Sequence, residues 1–203
     1  NTKRQDLTSK AVTRALTMFR EGDLIGVVSH EEWHEGVIGL VASRLVETYN
    51  RPMIAISKGL ELSKGSARSI PGFNIVEAIR DSSEYLVDGG GHPMAAGFTI
   101  RTEHIDLFRQ RLTKHAEQKI TEDLLVKKIE VECLLSADDI TKENFSTIEK
   151  FQPYGMGNPS PFFVSKKMLI EDVRTVGQES QHLKLQLQGF SAIGFNLGKL
   201  KAE

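Results

Sequence analysis

Hydrophobic positions along the chain follow two regimes, with a seam near residue 120. Before Gly22, Ala11, Val12, Ala15, Leu16 and Phe19 recur at the three-and-four spacing that lines one face of a helix. Residues 24–29 form a short apolar run of the kind buried strands carry, 36–49 return to helical spacing, and 52–57 are a second apolar run closed by the Lys58-Gly59 turn. Strand, helix and strand in that order predict a βαβ unit. The pattern goes on to predict a strand over 65–70, a turn at Pro71-Gly72, an amphipathic helix over 75–86, a strand over 98–101 and a helix over 105–120. The expected first domain is α/β, a mixed sheet with flanking helices.

After the polar stretch 118–123 the period falls to two: Ile129, Val131, Cys133 and Leu135, and later Leu183, Leu185 and Leu187. Alternation of this kind belongs to half-buried strands. A helix is expected over 141–151, then the Pro- and Gly-rich run 151–159, then strands near 162–176, 182–188 and 190–196. A small all-β barrel fits this order. The five-stranded OB type is one candidate, and other small β folds leave the same trace. The predicted organisation is residues 1–20 as the end of an interdomain linker helix, 21–120 as the α/β domain and 121–203 as the barrel.

Composition narrows the class. With 39% hydrophobic and 26% charged residues, the chain can bury a core, and no apolar run approaches the roughly 20 residues that cross a bilayer. Lys and Arg (26) balance Asp and Glu (27), so no global field draws the chain to polyanions and any nucleic-acid contact must come from local cations. The opening Asn1-Thr2-Lys3-Arg4-Gln5-Asp6 has no apolar signal core. The single cysteine, Cys133, excludes an internal disulfide and is expected as a small buried hydrophobe. These features point to a cytoplasmic home.

Three constellations carry candidate chemistry. Gly89-Gly90-Gly91-His92 reads as a loop whose bare backbone can aim N–H groups at an anion, with a titratable donor beside it; a tight turn entering the next strand is the plainer reading. Gly65-Ser66-Ala67-Arg68-Ser69 sets two hydroxyls around a guanidinium. On an extended strand Ser66 and Arg68 share a face, so a hydroxyl and a bidentate fork can hold one phosphate; a solvated strand face is the alternative. His30-Glu31-Glu32-Trp33-His34 matches the zinc-peptidase spacing, yet it spans a predicted strand end and a helix start, and no third ligand stands out. Trp33 and His34 at a turn facing a pocket are the simpler use.

Trp33-His34-x-Gly36-Val37-Ile38-Gly39 with Val41-Ala42-Ser43-Arg44-Leu45, then 65–69, then Gly89-Gly90-Gly91-His92-x-Met94-Ala95-Ala96-Gly97, together resemble the DHH-associated domain of the RecJ family of single-strand-specific exonucleases. Asn1-x-x-Arg4-Gln5 resembles the end of that family's linker helix, and Tyr154-Gly155-Met156-Gly157-Asn158-Pro159 the signature of its OB domain, so the likeness spans nearly the whole chain.

The resemblance implies a 5′-to-3′ exonuclease of the DHH phosphoesterase superfamily that shortens single-stranded DNA in repair and recombination, using manganese or magnesium. The family's metals are held by Asp and His motifs of its catalytic DHH domain, and this chain has neither an Asp-His-His triplet nor an Asp-x-Asp pair. No metal is expected here, and the chain by itself is expected to be inactive. By the same resemblance Ser66, Arg68 and Ser69 hold the 5′ phosphate, while Gly89, Gly90, Gly91 and His92 close over and orient the scissile phosphate. His34 and Arg44 line the same cleft, although Arg44 reads equally as a solvated helix residue.

In the barrel, Tyr154, Phe162 and Phe163 are available for base stacking, with Lys166 and Lys167 as nearby cations. Core packing is the alternative for the phenylalanines, and alternation allows at most one of Phe162 and Phe163 on a single core face. Implied partners are single-stranded DNA with a 5′ end, the DHH domain of the same polypeptide, and a single-strand-binding protein or helicase; no membrane is implied. Two other readings stand beside this one: the DHH-associated domain of a small-nucleotide phosphodiesterase, and a zinc metallopeptidase through His30 and His34.

Overall fold

The structure, a computed structural model, describes residues 2–202, so Asn1 of the linker-helix motif lies outside the described residues. The chain divides into two compact units, 1–127 and 128–203.

The first unit is a five-stranded mixed sheet in the order β1-β2-β3-β5-β4. Helix α1 (Thr2–Leu16) precedes β1 (Gly26–His30), and α2 (Glu35–Tyr49) crosses from β1 to its parallel neighbour β2 (Met53–Ser57). Strand β3 (Leu62–Arg68), α3 (Ile75–Arg80), β4 (Leu86–His92), β5 (Ala95–Arg101) and α4 (Ile105–Lys119) follow, and these later strands pair antiparallel. Alternation along the strands feeds two cores. Val28, Met53 and Ala55 pack under α1 and α2 with Val41 and Leu45, whereas Ile54, Ile56, Phe98 and Ile100 pack under α3 and α4 with Phe108 and Leu112.

Two elements differ from the sequence expectation. The helix foreseen over 75–86 stops at Arg80, where the Ser82 hydroxyl donates back to the Ala78 carbonyl, and a short 3₁₀ turn, Ser83–Tyr85, leads into β4. The glycine run is not a loop: Gly89, Gly90 and Gly91 lie within β4, an edge strand hydrogen-bonded to β5. Glycines carry no alternating side chains, so periodicity is blind to a strand made of them. Polar residues near 120 also stay with this unit, since Leu124 and Leu125 pack on its core.

The second unit has β6 (Cys133–Leu134) paired parallel with β7 (Phe163–Val164), α5 (Lys142–Glu149) between them in sequence, and an antiparallel three-stranded sheet of β8 (Ile170–Val176), β9 (His182–Leu187) and β10 (Phe190–Gly194). This β-rich arrangement is consistent with an OB-type domain. The alternation over 129–135 yields only the two-residue β6. Ile129, Val131 and Leu134 stay exposed, and Cys133, expected as a buried hydrophobe, is exposed because β6 lies under no packed layer.

Candidate nucleic-acid interface

α2 packs against β2 and β3, and beyond β3 the same sheet face stays open at Gly97, Gly90 and His92. Antiparallel pairing puts register partners on one face, which arranges the side chains there in three rows. Ser66, Gly97 and Gly90 form the middle row; Arg68, Ala95 and His92 lie to one side; Lys64, Thr99 and Asp88 lie to the other. With strands about 4.8 Å apart, His92 stands about 10 Å from Arg68 across the small side chain of Ala95. The glycines of the middle row, Gly97 and Gly90, leave a flat floor between the two outer rows.

A cavity of ≈ 540 Å³ opens over the β3 side of these rows, lined by Lys64, Ser66, Arg68, Gly97, Thr99 and Asp88 and closed on its other side by Glu35, Gly36, Ile38 and Gly39 of α2 and by Arg4 of α1. His92 and Gly89, Gly90 and Gly91 lie on the open face outside its lining. Arg68 Nη1 donates to Ser66 Oγ (3.1 Å) and to the Ala67 carbonyl (2.8 Å), which holds the guanidinium beside the hydroxyl. A Cβ on Gly39 would sit 3.1 Å from Arg68 Nη2 and 3.3 Å from Ser66 Oγ, so a side chain at residue 39 would crowd both groups and push them aside. Lys64 Nζ donates to Thr99 Oγ1 at 2.8 Å. The first turn of α2 faces the same space. His34 caps it, its Nδ1 accepting from the Gly36 N–H at 3.0 Å, and the helix dipole adds partial positive charge. Arg4, Lys64 and Arg68 outnumber Glu35 and Asp88, so the cavity suits an anion.

The other predicted residues are dispersed. Ser69 is buried, with its hydroxyl donating to the Phe73 carbonyl at 2.6 Å, so it braces a turn and turns away from the open face. Trp33 is only 5% exposed and packs in the core under α1 and α2, and with His34 it lines a hollow there, so both face a pocket, although not the cavity over Ser66 and Arg68. Lys10, Arg14 and Glu32 line the same hollow. Arg44 lies outside the cavity too, in a groove between α1 and α2, ion-paired with Glu47 at 2.8 Å. His30 ends β1, its Nδ1 accepting from the Glu32 N–H, while His34 caps α2; the two histidines of the zinc-like motif thus sit on different elements. Among the described residues no group of three or more His, Cys, Asp or Glu side chains gathers into a metal site.

Lys64, Asp88, Thr99 and Gly39 escaped the sequence reading. Lys64 was within reach of it, since period two from Ser66 and Arg68 places it on their face. Asp88 and Thr99 depend on cross-strand register, which no local window contains.

In the second unit Tyr154 is half-buried and its hydroxyl donates to the Ile148 carbonyl at 2.6 Å. With Phe163, Ile140 and Phe145 it lines a largely apolar hollow of ≈ 660 Å³. Phe162, Lys166 and Lys167 are exposed, and Phe163 is half-buried. The turn after Tyr154 is held by Asn158, whose Nδ2 donates to the Phe151 and Pro153 carbonyls. Nearby, the Ser136 hydroxyl and backbone N–H hold the Asp139 carboxyl below the usual carboxylate range.

Residues 15–118 match the family model of the DHHA1 domain, and residues 131–203 match that of the RecJ OB domain. The single-stranded-DNA-specific exonuclease RecJ of Bacillus subtilis (strain 168) is 36% identical over 210 aligned residues, covering 99% of this chain and 27% of the relative. RecJ of Thermus thermophilus, solved in complex with Mn2+, superposes with a TM-score of 0.84 at 29% identity, over 96% of this chain and 28% of that one. The same enzyme with Mg2+ gives 0.81 over 96% and 30%. The chain spans less than a third of the length of these relatives.

Proposed function

The chain belongs to the RecJ family, as a DHHA1 domain followed by a RecJ OB domain, and from that premise we propose that it is the substrate-binding portion of a 5′-to-3′ single-stranded-DNA exonuclease acting in DNA repair and recombination. The observation that carries this reading is the set of three side-chain rows on the open sheet face, with Ser66, Arg68 and Lys64 turned towards the first turn of α2. The Arg68 fork and the Ser66 hydroxyl take the 5′ phosphate, and Lys64 adds a point charge along the same strand. His92, in the Arg68 row, and the glycine floor of β4 orient the next phosphate against the cleaving domain, a contribution of positioning rather than of bond making. Tyr154, Phe162, Lys166 and Lys167 of the second unit track the strand by stacking and charge.

Divalent metal, the manganese or magnesium of the solved relatives, belongs to the DHH domain of the same polypeptide. Among the described residues no His, Cys, Asp or Glu cluster gathers to hold a resident ion, which supports assigning hydrolysis to that DHH domain. Work on single strands in the cytoplasm alongside a single-strand-binding protein or a helicase accords with this role, and among the described residues no helix is long and apolar enough to cross a membrane.

The test is a fluorescence-anisotropy titration of a 5′-phosphorylated single-stranded oligonucleotide, repeated with duplex and with a mononucleotide at matched salt. Preference for the phosphorylated single strand is the expected result. Equal affinity for the mononucleotide would point instead to a small-nucleotide phosphodiesterase, and manganese-dependent degradation by a clean preparation would overturn the assignment of hydrolysis to another domain.

A further inference from the structure

The groove that holds Arg44 has no part in the reading above. α1 and α2 pack side by side, and their outer surfaces leave a trough of ≈ 660 Å³. Helical spacing explains its lining: Ser43 and Arg44 lie three and four residues after Leu40, and Glu47 lies four and three after them, on one face of α2 opposite Arg4 and Thr8 of α1. Thr8, Ser9, Thr13 and Ser43 bring hydroxyls to it, and Arg4 and Arg44 bring guanidinium groups. Its one carboxylate, Glu47, is paired with Arg44, and with side-chain exposures of 61% and 64% that pair is weak enough for an incoming phosphate to compete.

The trough adjoins the cavity over Ser66 and Arg68, since Arg4 and Leu40 line both. We propose that it is a second subsite, which receives the phosphodiester backbone of the nucleotides following the one whose 5′ phosphate rests on Ser66 and Arg68. Arg4 stands at the junction, Arg44 binds the phosphate beyond it, and Leu40, 44% exposed, offers apolar contact to the sugar or base between. The proposal rests on the phosphate reading of the first cavity. It adds that the first unit measures strand length by itself, without help from the OB domain.

Both ideas are tested together on the 203-residue chain by competition binding of thymidine 5′-monophosphate and of 5′-phosphorylated oligothymidylates of increasing length. Arg44→Ala, at an exposed position, is expected to bind the monophosphate as the parent does and the oligomers about three- to tenfold more weakly, with the slope against log salt reduced by about one. Arg44→Lys should recover most of that loss, and Arg68→Ala should weaken every ligand. If Arg44→Ala leaves the oligomers unchanged, or weakens the monophosphate equally, while Arg68→Ala behaves as expected, the second subsite is refuted and the function stands. If Arg68→Ala affects no ligand, the phosphate reading and the subsite built on it both fall.

Discussion

The two units of this chain use their apolar residues in opposite ways. Every buried hydrophobic side chain among the described residues lies between Ala11 and Ile120, apart from Leu183 and Leu187, whereas Phe145, Phe151, Phe162 and Phe195 of the second unit are each 60% exposed or more. A sheet with helices on both faces holds its strands in a single register, because slipping by one residue would turn every core side chain outward. That rigidity is what the proposed phosphate site needs, since His92 of β4 shares a face with Ser66 and Arg68 of β3 only through the pairing of both strands with β5. The second unit lacks such layers. It offers exposed aromatics and lysines, which suits sequence-tolerant contact with a flexible strand more than exact placement.

The sharpest way to break this comparison is to remove one ring from each unit. Phe108 is fully buried and its ring centroid lies 4.9 Å from that of Phe98. Phe108→Ala should cost about 3–5 kcal/mol in urea unfolding followed by the fluorescence of Trp33, the lone tryptophan, which reports on the first unit. Phe145→Ala, followed by far-ultraviolet circular dichroism, should shift the second unit by no more than about 0.5 kcal/mol. Comparable losses would mean that the second unit has a core after all.

Next in size is the edge strand. Gly91 has φ of 153°, and a Cβ there would collide with the Ala95 carbonyl oxygen and lie 2.6 Å from Ala96 Cα, whereas one on Gly90 meets nothing within 4 Å. Gly91→Ala should therefore destabilise the first unit by about 2 kcal/mol. Gly90→Ala should fold normally and weaken binding by crowding the floor beside His92, between the two outer rows. A Gly91→Ala chain with parental stability would show that β4 is not held in this register.

At the level of binding, Arg68→Ala should reduce the preference for a 5′-phosphorylated over an unphosphorylated strand by about tenfold, or about 1.4 kcal/mol. Lys166→Ala should lower affinity evenly for both strands and flatten the salt dependence. Equal losses of preference in matched titrations would erase the division of labour between the units.

The smallest effect is confined to the second unit. Because Asp139 is held low by Ser136, its hydrogen bonds stabilise the fold above the unfolded carboxylate value of about 3.9, and that contribution disappears as pH falls through the lower folded value. Ser136→Ala should flatten the acid limb of a pH titration of the second unit's unfolding and leave the Trp33 transition unmoved.

Much of the scaffold was legible in the sequence. Helix α2, expected over 36–49, runs Glu35–Tyr49, and α4, expected over 105–120, runs Ile105–Lys119, because a strong 3.6-residue period leaves few alternatives. The shared face of Ser66 and Arg68 followed from strand alternation. The glycine strand was illegible for want of side chains, and Cys133 was misjudged because alternation predicts two faces without saying whether anything covers either. His34, Arg44 and Ser69 fall outside the cavity lined by Ser66 and Arg68 for a related reason: nearness in sequence to a motif does not decide on which side of an element a residue falls.

By itself the sequence determined the α/β order, the helix spans and the residue types able to grip a phosphate, since these follow from backbone sterics and side-chain chemistry acting over a few residues. Only the tertiary structure decided which of those residues meet. Strand order and cross-strand register bring Lys64, Thr99 and Asp88 into one row and Arg68 and His92 into another, and leave Arg44 in a groove of its own. Register is settled by burying the core positions of the sheet against the helices on its two faces, a cooperative free energy that no short stretch of chain contains.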